Sequence, residues 1–167
     1  LITKEEIQQR IMQLAREISS DYHGAEPVLI GVLKGAFIFL ADLIRHLTIE
    51  TAVDFVQVAS YGSATVSSGT CVFKKDISID IYGRDVVLVE DIVDTGDTFQ
   101  FLLDRITARK PRSLKICALL DKKARRRKDI IIDYCGFTID DEFVVGYGLD
   151  YNERFRCLPG IYALQNK

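Results

Sequence analysis

Polar and apolar positions follow two different periods along this chain, and each period marks its own elements. Ile7, Ile11, Leu14 and Ile18 recur at helical spacing. Thr3 can cap that helix and Glu6 completes a Ser/Thr-x-x-Glu capping box, while Gly24 and Pro27 end it. Pro27 to Leu33 is short, apolar and bounded by turn residues, which predicts a buried strand, and Ala36 to Leu47 returns to helical spacing. Asp54 to Tyr61 predicts a second strand and Val72 to Ile81 a strand or hairpin arm. Between them Gly62 to Thr70 is polar and small, the composition of a lid or binding loop rather than of core.

The run Val86-Val-Leu-Val89 is β-branched and uninterrupted, as expected of a strand covered on both faces. Phe99 to Ala108 predicts the next helix and Leu114 to Leu120 the next strand. This alternation predicts an α/β fold with a central, mostly parallel sheet flanked by helices. Past Asp121 the pattern breaks into short strands near 130–134, 143–147 and 161–164, expected to form a small C-terminal hood over the carboxyl ends of the sheet. The chain is accordingly expected to be one domain over 1–167, with a core of about 1–122 and a hood mainly of about 123–167.

Composition narrows the class. With 167 residues, 48% hydrophobic and 28% charged, the chain is an ordinary globular one. No apolar run approaches the ~20 residues of a membrane span, and no secretory pattern is seen at the start. A net charge of −2 argues against a nucleic-acid binder. Cys71, Cys117, Cys135 and Cys157 lack zinc-site spacing, and free thiols in a reducing cytoplasm are expected. His23 and His46 have no partner at nucleophile–base spacing and are expected on the surface.

The chemistry concentrates in residues 86–98. A buried strand delivers Glu90 and Asp91 to its carboxyl end, Asp94 follows, and Thr95-Gly-Asp-Thr98 runs into a helix start. A small-residue turn at a helix N-terminus offers free N–H groups and hydroxyls to a phosphate. Paired acids beside it suit sugar hydroxyls or a hydrated Mg²⁺. The bland alternative is an acidic loop in which Asp94 or Thr95 merely caps the helix.

These thirteen residues resemble the phosphoribosyl-pyrophosphate (PRPP) motif of type I phosphoribosyltransferases. The likeness runs over nearly the whole chain and is strongest to the hypoxanthine-guanine branch. Four further stretches carry it: Leu33-Lys-Gly35; Ser60-Tyr61 with the Ser/Thr/Gly loop; Leu119-Leu-Asp-Lys122; and Phe143 to Asn152 through Arg156. The resemblance implies transfer of 5-phosphoribosyl from PRPP to N9 of hypoxanthine or guanine, or of xanthine, giving IMP, GMP or XMP and pyrophosphate, with Mg²⁺ as cofactor.

The same resemblance implies roles for single residues. Glu90 and Asp91 hold the ribose hydroxyls directly or through the metal, and Asp150 is a further metal ligand. Asp94, Thr95, Gly96, Asp97 and Thr98 bind the 5′-phosphate, and Asp94 is also the general base near N7 of the purine. Asp97 departs from the pattern, because an acid in a phosphate loop is electrostatically awkward, and its side chain is expected to face solvent. Lys122 donates to the purine O6, Phe143 stacks on the base and Val144 reads its edge. Arg156 contacts pyrophosphate, as does the backbone of Lys34 and Gly35, in a turn that in the family often holds a non-proline cis peptide. Ser60 and Tyr61 open the loop that closes over the reaction. Lys123, Arg125, Arg126, Arg127 and Lys128 are expected to form a solvated basic face.

The resemblance also implies a cytoplasmic homodimer or homotetramer that binds neither membrane nor nucleic acid. A regulatory protein that senses PRPP or nucleotides on the same fold without catalysis is the alternative. A P-loop NTPase or dinucleotide-binding domain is disfavoured, since neither Gly-x-x-x-x-Gly-Lys-Ser/Thr nor Gly-x-Gly-x-x-Gly occurs.

Overall fold

The computed structural model describes residues 1–61 and 70–164, without the side chains of 60, 61 and 70. Helix α1 (Lys4–Asp21) opens the chain, and the capping box forms: Thr3 Oγ1 accepts from the Glu6 amide at 3.3 Å and Glu6 Oε2 accepts from the Thr3 amide at 2.8 Å. Strand β1 (Val28–Leu33), helix α2 (Phe37–His46) and strand β2 (Ala52–Tyr61) follow, then β3 (Thr70–Lys75), β4 (Asp85–Val93), α3 (Asp97–Ala108) and β5 (Ser113–Asp121). Strand β6 (Tyr134–Thr138) and the short β7 (Val144–Val145) and β8 (Tyr162–Ala163) complete it.

Six strands form one sheet in the order β3-β2-β1-β4-β5-β6, and β7 pairs with β8 in a second, two-stranded sheet. All pairings in the large sheet are parallel except β2 with β3. Both faces of the large sheet are covered. Val87 and Val89 face one core with Ile7, Ile11, Leu14 and Ile18 of α1 and Leu40 and Leu43 of α2, whereas Val86 and Leu88 face a second core with Phe99, Leu102 and Ile106 of α3. The period of two along β4 therefore meets helical periods on either side, as its continuous apolar run predicts.

Two elements differ from expectation: β3 stops at Lys75, so residues 76–81 of the expected arm lie outside any strand, and one element lies elsewhere. The short strand anticipated at 130–134 in the hood is β6, at Tyr134–Thr138, and it extends the large sheet beside β5. Asp133 explains the register, since its carboxylate accepts from the Ile116 amide at 2.8 Å and its own amide donates to the Ile116 carbonyl at 3.0 Å. Ile130, just upstream, is buried in the core beneath α3 and belongs to the approach to that strand.

The order of strands sets where a ligand can sit. From β1 the chain moves to β2 on one side, while β4 takes its place on the other, so the direction of winding reverses between β1 and β4. The carboxyl ends of the two strands flanking such a reversal open a crevice, the usual ligand position in an open α/β sheet. Here β1 ends at Lys34-Gly35 and β4 ends at the acids.

Candidate active site

Strand parity decides where those acids point. Glu90 continues the face of Val86 and Leu88, toward α3, and Asp91 the face of Val87 and Val89, toward the β1–α2 turn. Two pockets follow from this division. One, of about 160 Å³, lies over the β4–α3 turn and is lined by Glu90, Asp94, Thr95, Gly96 and Thr98. The other, of about 250 Å³, is lined by Asp91, Asp94, Lys122, Phe143, Val144 and Asp150. Asp94 alone among the acids of the motif faces both.

Burial makes this pair of acids costly to ionise. Glu90 is pushed well above the usual carboxylate range, first by burial and then by the neighbouring Asp91 charge. Burial likewise raises Asp91. The Glu90 side chain accepts from the Asp91 amide at 3.1 Å, and Asp91 Oδ1 accepts from the Ile92 amide at 2.8 Å. The Asp91 carboxylate also lies directly on Gly35, where a methyl group would occupy the same space. Only glycine lets the β1–α2 turn approach so closely.

The helix start rejects the bland alternative. Gly96 is the N-cap of α3 at φ +88°, and among the described residues no side chain caps the helix. Neither Asp94 nor Thr95 therefore spends itself on a cap, and the first-turn amides are left for a ligand. Asp94 Oδ1 is buried with no hydrogen-bond partner among the described residues, and Arg125 is 3.7 Å from its other oxygen. Asp97 is exposed, lies 3.7 Å from Arg127 and does not line the pocket over the β4–α3 turn.

The hood supplies the opposite wall. Lys122, at the end of β5, is only 4% exposed, yet its nearest acid is Asp141 at 3.4 Å. Phe143 is exposed and meets Tyr151 edge-to-face with ring centres 5.5 Å apart, which leaves a ring face open. Arg156 donates to the Gly148 carbonyl at 2.7 Å and pairs with Asp150 at 2.8 Å, and its Nε is buried without a partner among the described residues. Gly148 in turn crowds the Gly35 carbonyl, so the hood closes on the turn at the end of β1. The cis peptide there joins Leu33 to Lys34. Ser60 and Tyr61 end β2 by their backbone; their side chains and the loop expected to close over the site lie outside the described residues.

A family model described as the phosphoribosyl transferase domain matches residues 2–152. The chain belongs to this family. It is 48% identical over 165 residues to the hypoxanthine-guanine phosphoribosyltransferase of Bacillus subtilis, covering 99% of this chain and 92% of the relative. It is also 48% identical over 167 residues to the enzyme of the same name from Aquifex aeolicus, covering 99% and 94%. A crystal structure of a hypoxanthine-guanine phosphoribosyltransferase from Bacillus anthracis, with HEPES in its active site, superposes with a TM-score of 0.94 at 46% identity, covering 99% of this chain and 97% of the other.

Within this phosphoribosyltransferase, three polar residues at the site escape a reading of the sequence. Glu153 lies 2.8 Å from Lys34 and 3.5 Å from Arg156, tying together the two cations at the end of β1 and in the hood. Arg125 lines the pocket with Lys122 and Phe143. Arg126 is not part of a solvated basic face: its side chain is only 15% exposed, whereas that of Arg127 is 63% exposed. A run of cations carries no signal of which member turns inward, because its partners include the Val93 and Asp94 carbonyls, which only the fold brings near.

Proposed function

We propose that this phosphoribosyltransferase is a purine-salvage enzyme that transfers 5-phosphoribosyl from PRPP to N9 of hypoxanthine or guanine, forming IMP or GMP and releasing pyrophosphate. The whole chain acts as one domain, an arrangement supported by Val144, Tyr147, Leu149 and Ile161 of the hood sharing a core with α1 and α2. The observation that carries the reading is the position of Asp94, with an unpartnered buried oxygen, between the two pockets. In this reading the 5′-phosphate lies on the amides of the β4–α3 turn, with the Thr95 and Thr98 hydroxyls and the Asp97 amide beside it, while the purine lies between Lys122 and Phe143.

As the C1′–oxygen bond to pyrophosphate breaks, the electron pair leaves with pyrophosphate and positive charge builds on the ribose. N9 forms the new bond to C1′, and Asp94 takes the proton that the purine gives up at N7. Glu90 and Asp91 hold the ribose hydroxyls and stand beside the developing cation. Lys122 donates to O6, and the backbone of Val144 reads the edge of the base. On adenine the amino group would meet the Lys122 ammonium donor to donor, leaving a buried donor unpaired at a cost of about 1–3 kcal/mol. Lys34, Gly35 and Arg156 hold the pyrophosphate.

The acids also fit Mg²⁺. Among the described residues no cluster of three or more His, Cys, Asp or Glu could hold a metal by itself. Mg²⁺ usually takes one or two protein carboxylates and completes its shell with water and substrate oxygens. The buried Glu90 and half-buried Asp91, whose ionisation is disfavoured, with Asp150 lining the same pocket as Asp91, supply such a set. One or two of Glu90, Asp91 and Asp150 would hold the ion together with PRPP and water, and when bound it would neutralise charge on the leaving pyrophosphate.

We place the enzyme in the cytoplasm, where the four unpaired cysteines stay reduced. Among the described residues no helix is long and apolar enough to cross a membrane. The test is a spectrophotometric assay with PRPP, Mg²⁺ and hypoxanthine, guanine or xanthine in turn. Nucleotide formation with the 6-oxopurines and not with adenine is expected; IMP binding without turnover would point to a nucleotide sensor instead.

A further inference from the structure

The segment after β5 runs alongside the turn after β4, and their hydrogen bonds follow one pattern. The Val93 carbonyl accepts from the Lys122 amide at 3.0 Å, and the Thr95 carbonyl accepts from the Arg127 amide at 2.9 Å. The Arg126 guanidinium reaches between them: Nε donates to the Asp94 carbonyl at 2.9 Å and one terminal nitrogen to the Val93 carbonyl at 3.1 Å. That same nitrogen meets the buried Asp121 carboxylate, while the other terminal nitrogen lies 3.3 Å from the Ile130 carbonyl. The carbonyls of three consecutive residues, Val93, Asp94 and Thr95, are thus all held from one side.

A trans peptide is planar, so its N–H points opposite to its C=O. Carbonyls of residues 93–95 turned toward the 122–127 segment therefore turn the amides of Asp94, Thr95 and Gly96 the other way, toward the pocket these residues line. Those three amides have no hydrogen-bond partner among the described residues. Gly96 completes the fit, because a Cβ there would come within 2.6 Å of Ile130 Cδ1 and 3.2 Å of Lys128 Cβ. A side chain at 96 would be strained at φ +88° and would press on Ile130 and Lys128.

We propose that Arg126 is the positioning residue of this phosphate turn. By holding the Val93 and Asp94 carbonyls it aims the amides of the turn at the 5′-phosphate and sets the backbone from which Asp94 reaches the purine. Arg126 touches no reacting atom, and the proposal rests on the transferase reading above. A guanidinium suits the task because its donors lie in one rigid plane, so it serves two carbonyls and a carboxylate at once, which an ammonium on a flexible stem does not.

The test compares two ligands that meet different parts of the site. In Arg126→Lys the positive charge beside Asp121 is kept and the planar fork is lost. Calorimetric titration should show IMP binding weakened at least about tenfold, the loss expected for one or more charge-assisted hydrogen bonds. Binding of pyrophosphate with Mg²⁺, held at the Lys34-Gly35 turn and Arg156, should change by less than about twofold. KM for PRPP should rise more than KM for hypoxanthine. Should Arg126→Lys not fold, the double variant Asp121→Asn with Arg126→Gln removes both buried charges together and should show the same split. Equal losses for IMP and pyrophosphate, or no loss for IMP, would overturn the proposal. The parent protein is the control: failure there to bind IMP or turn over would sink the transferase reading itself, whereas a normal parent with an unaffected variant sinks only the role of Arg126.

Discussion

Asp94 and Lys122 both line the site with only loose ion partners, Arg125 at 3.7 Å and Asp141 at 3.4 Å, and at each a single substitution separates chemistry from binding. Asp94→Asn keeps the size of the side chain and removes its ability to accept a proton. Turnover should fall by about 10²–10⁴-fold while IMP affinity, measured by titration, stays near that of the parent. Near-normal turnover would take the proton transfer away from Asp94. Lys122→Ala removes the donor proposed for O6 from a position only 4% exposed. The hypoxanthine kcat/KM should drop by roughly 10–100-fold, with a smaller change in KM for PRPP; unchanged discrimination against adenine would contradict the O6 contact. These two residues are legible in the sequence because each sits at a strand end within a dense motif. Arg126 and Glu153 are not, since their partners are a set of backbone carbonyls and two cations that only the folded chain assembles.

At the scale of elements, the alternation of strand and helix is readable through β5, apart from the end of β3 at Lys75, because the buried elements there are apolar at their own periods. It fails at β6, where Ile131 is 75% exposed and the register is set by Asp133, a polar anchor with no periodic signature. A similar anchor under β2 yields a test of stability. Asp54 accepts from the amides of Phe55, Ser78 and Ile79 at 2.7, 2.6 and 2.9 Å and from the Lys75 ammonium at 3.0 Å, pinning the connection between β3 and β4. Burial alone would raise its pKa, but these donors outweigh burial and lower it to about 2. A carboxyl depressed on folding contributes stability above its unfolded pKa near 3.8, and that contribution drains away as pH falls toward 2. Urea unfolding should therefore find Asp54→Asn roughly 2 kcal/mol less stable than the parent at pH 7, with the gap narrowing between pH 4 and pH 2. A gap that stayed constant with pH would show that the loss is one of packing and not of the ionised contacts.

For the molecule as a whole, the place where winding reverses concentrates both the chemistry and an energetic cost. Two adjacent acids stand there, with burial working against the charge of both and the Asp91 charge working further against that of Glu90. An arrangement of this kind weakens the empty protein and is relieved when cations and hydroxyls arrive, the expected trade between stability and activity. Glu90→Gln isolates the effect. Glutamine retains the oxygen that accepts from the Asp91 amide and replaces one like charge by a donor facing Asp91. The melting temperature of the empty protein at pH 7 should rise by a few degrees, since about 1 kcal/mol moves a chain of this size by about 2–4 °C. The further rise on adding saturating PRPP and Mg²⁺ should shrink, because a ligand stabilises only through its preference for the folded site and this variant has lost one of the groups that holds it. A less stable empty Glu90→Gln protein would mean that the acids are well compensated within the fold, and the cost assigned to this crevice would then have to lie elsewhere.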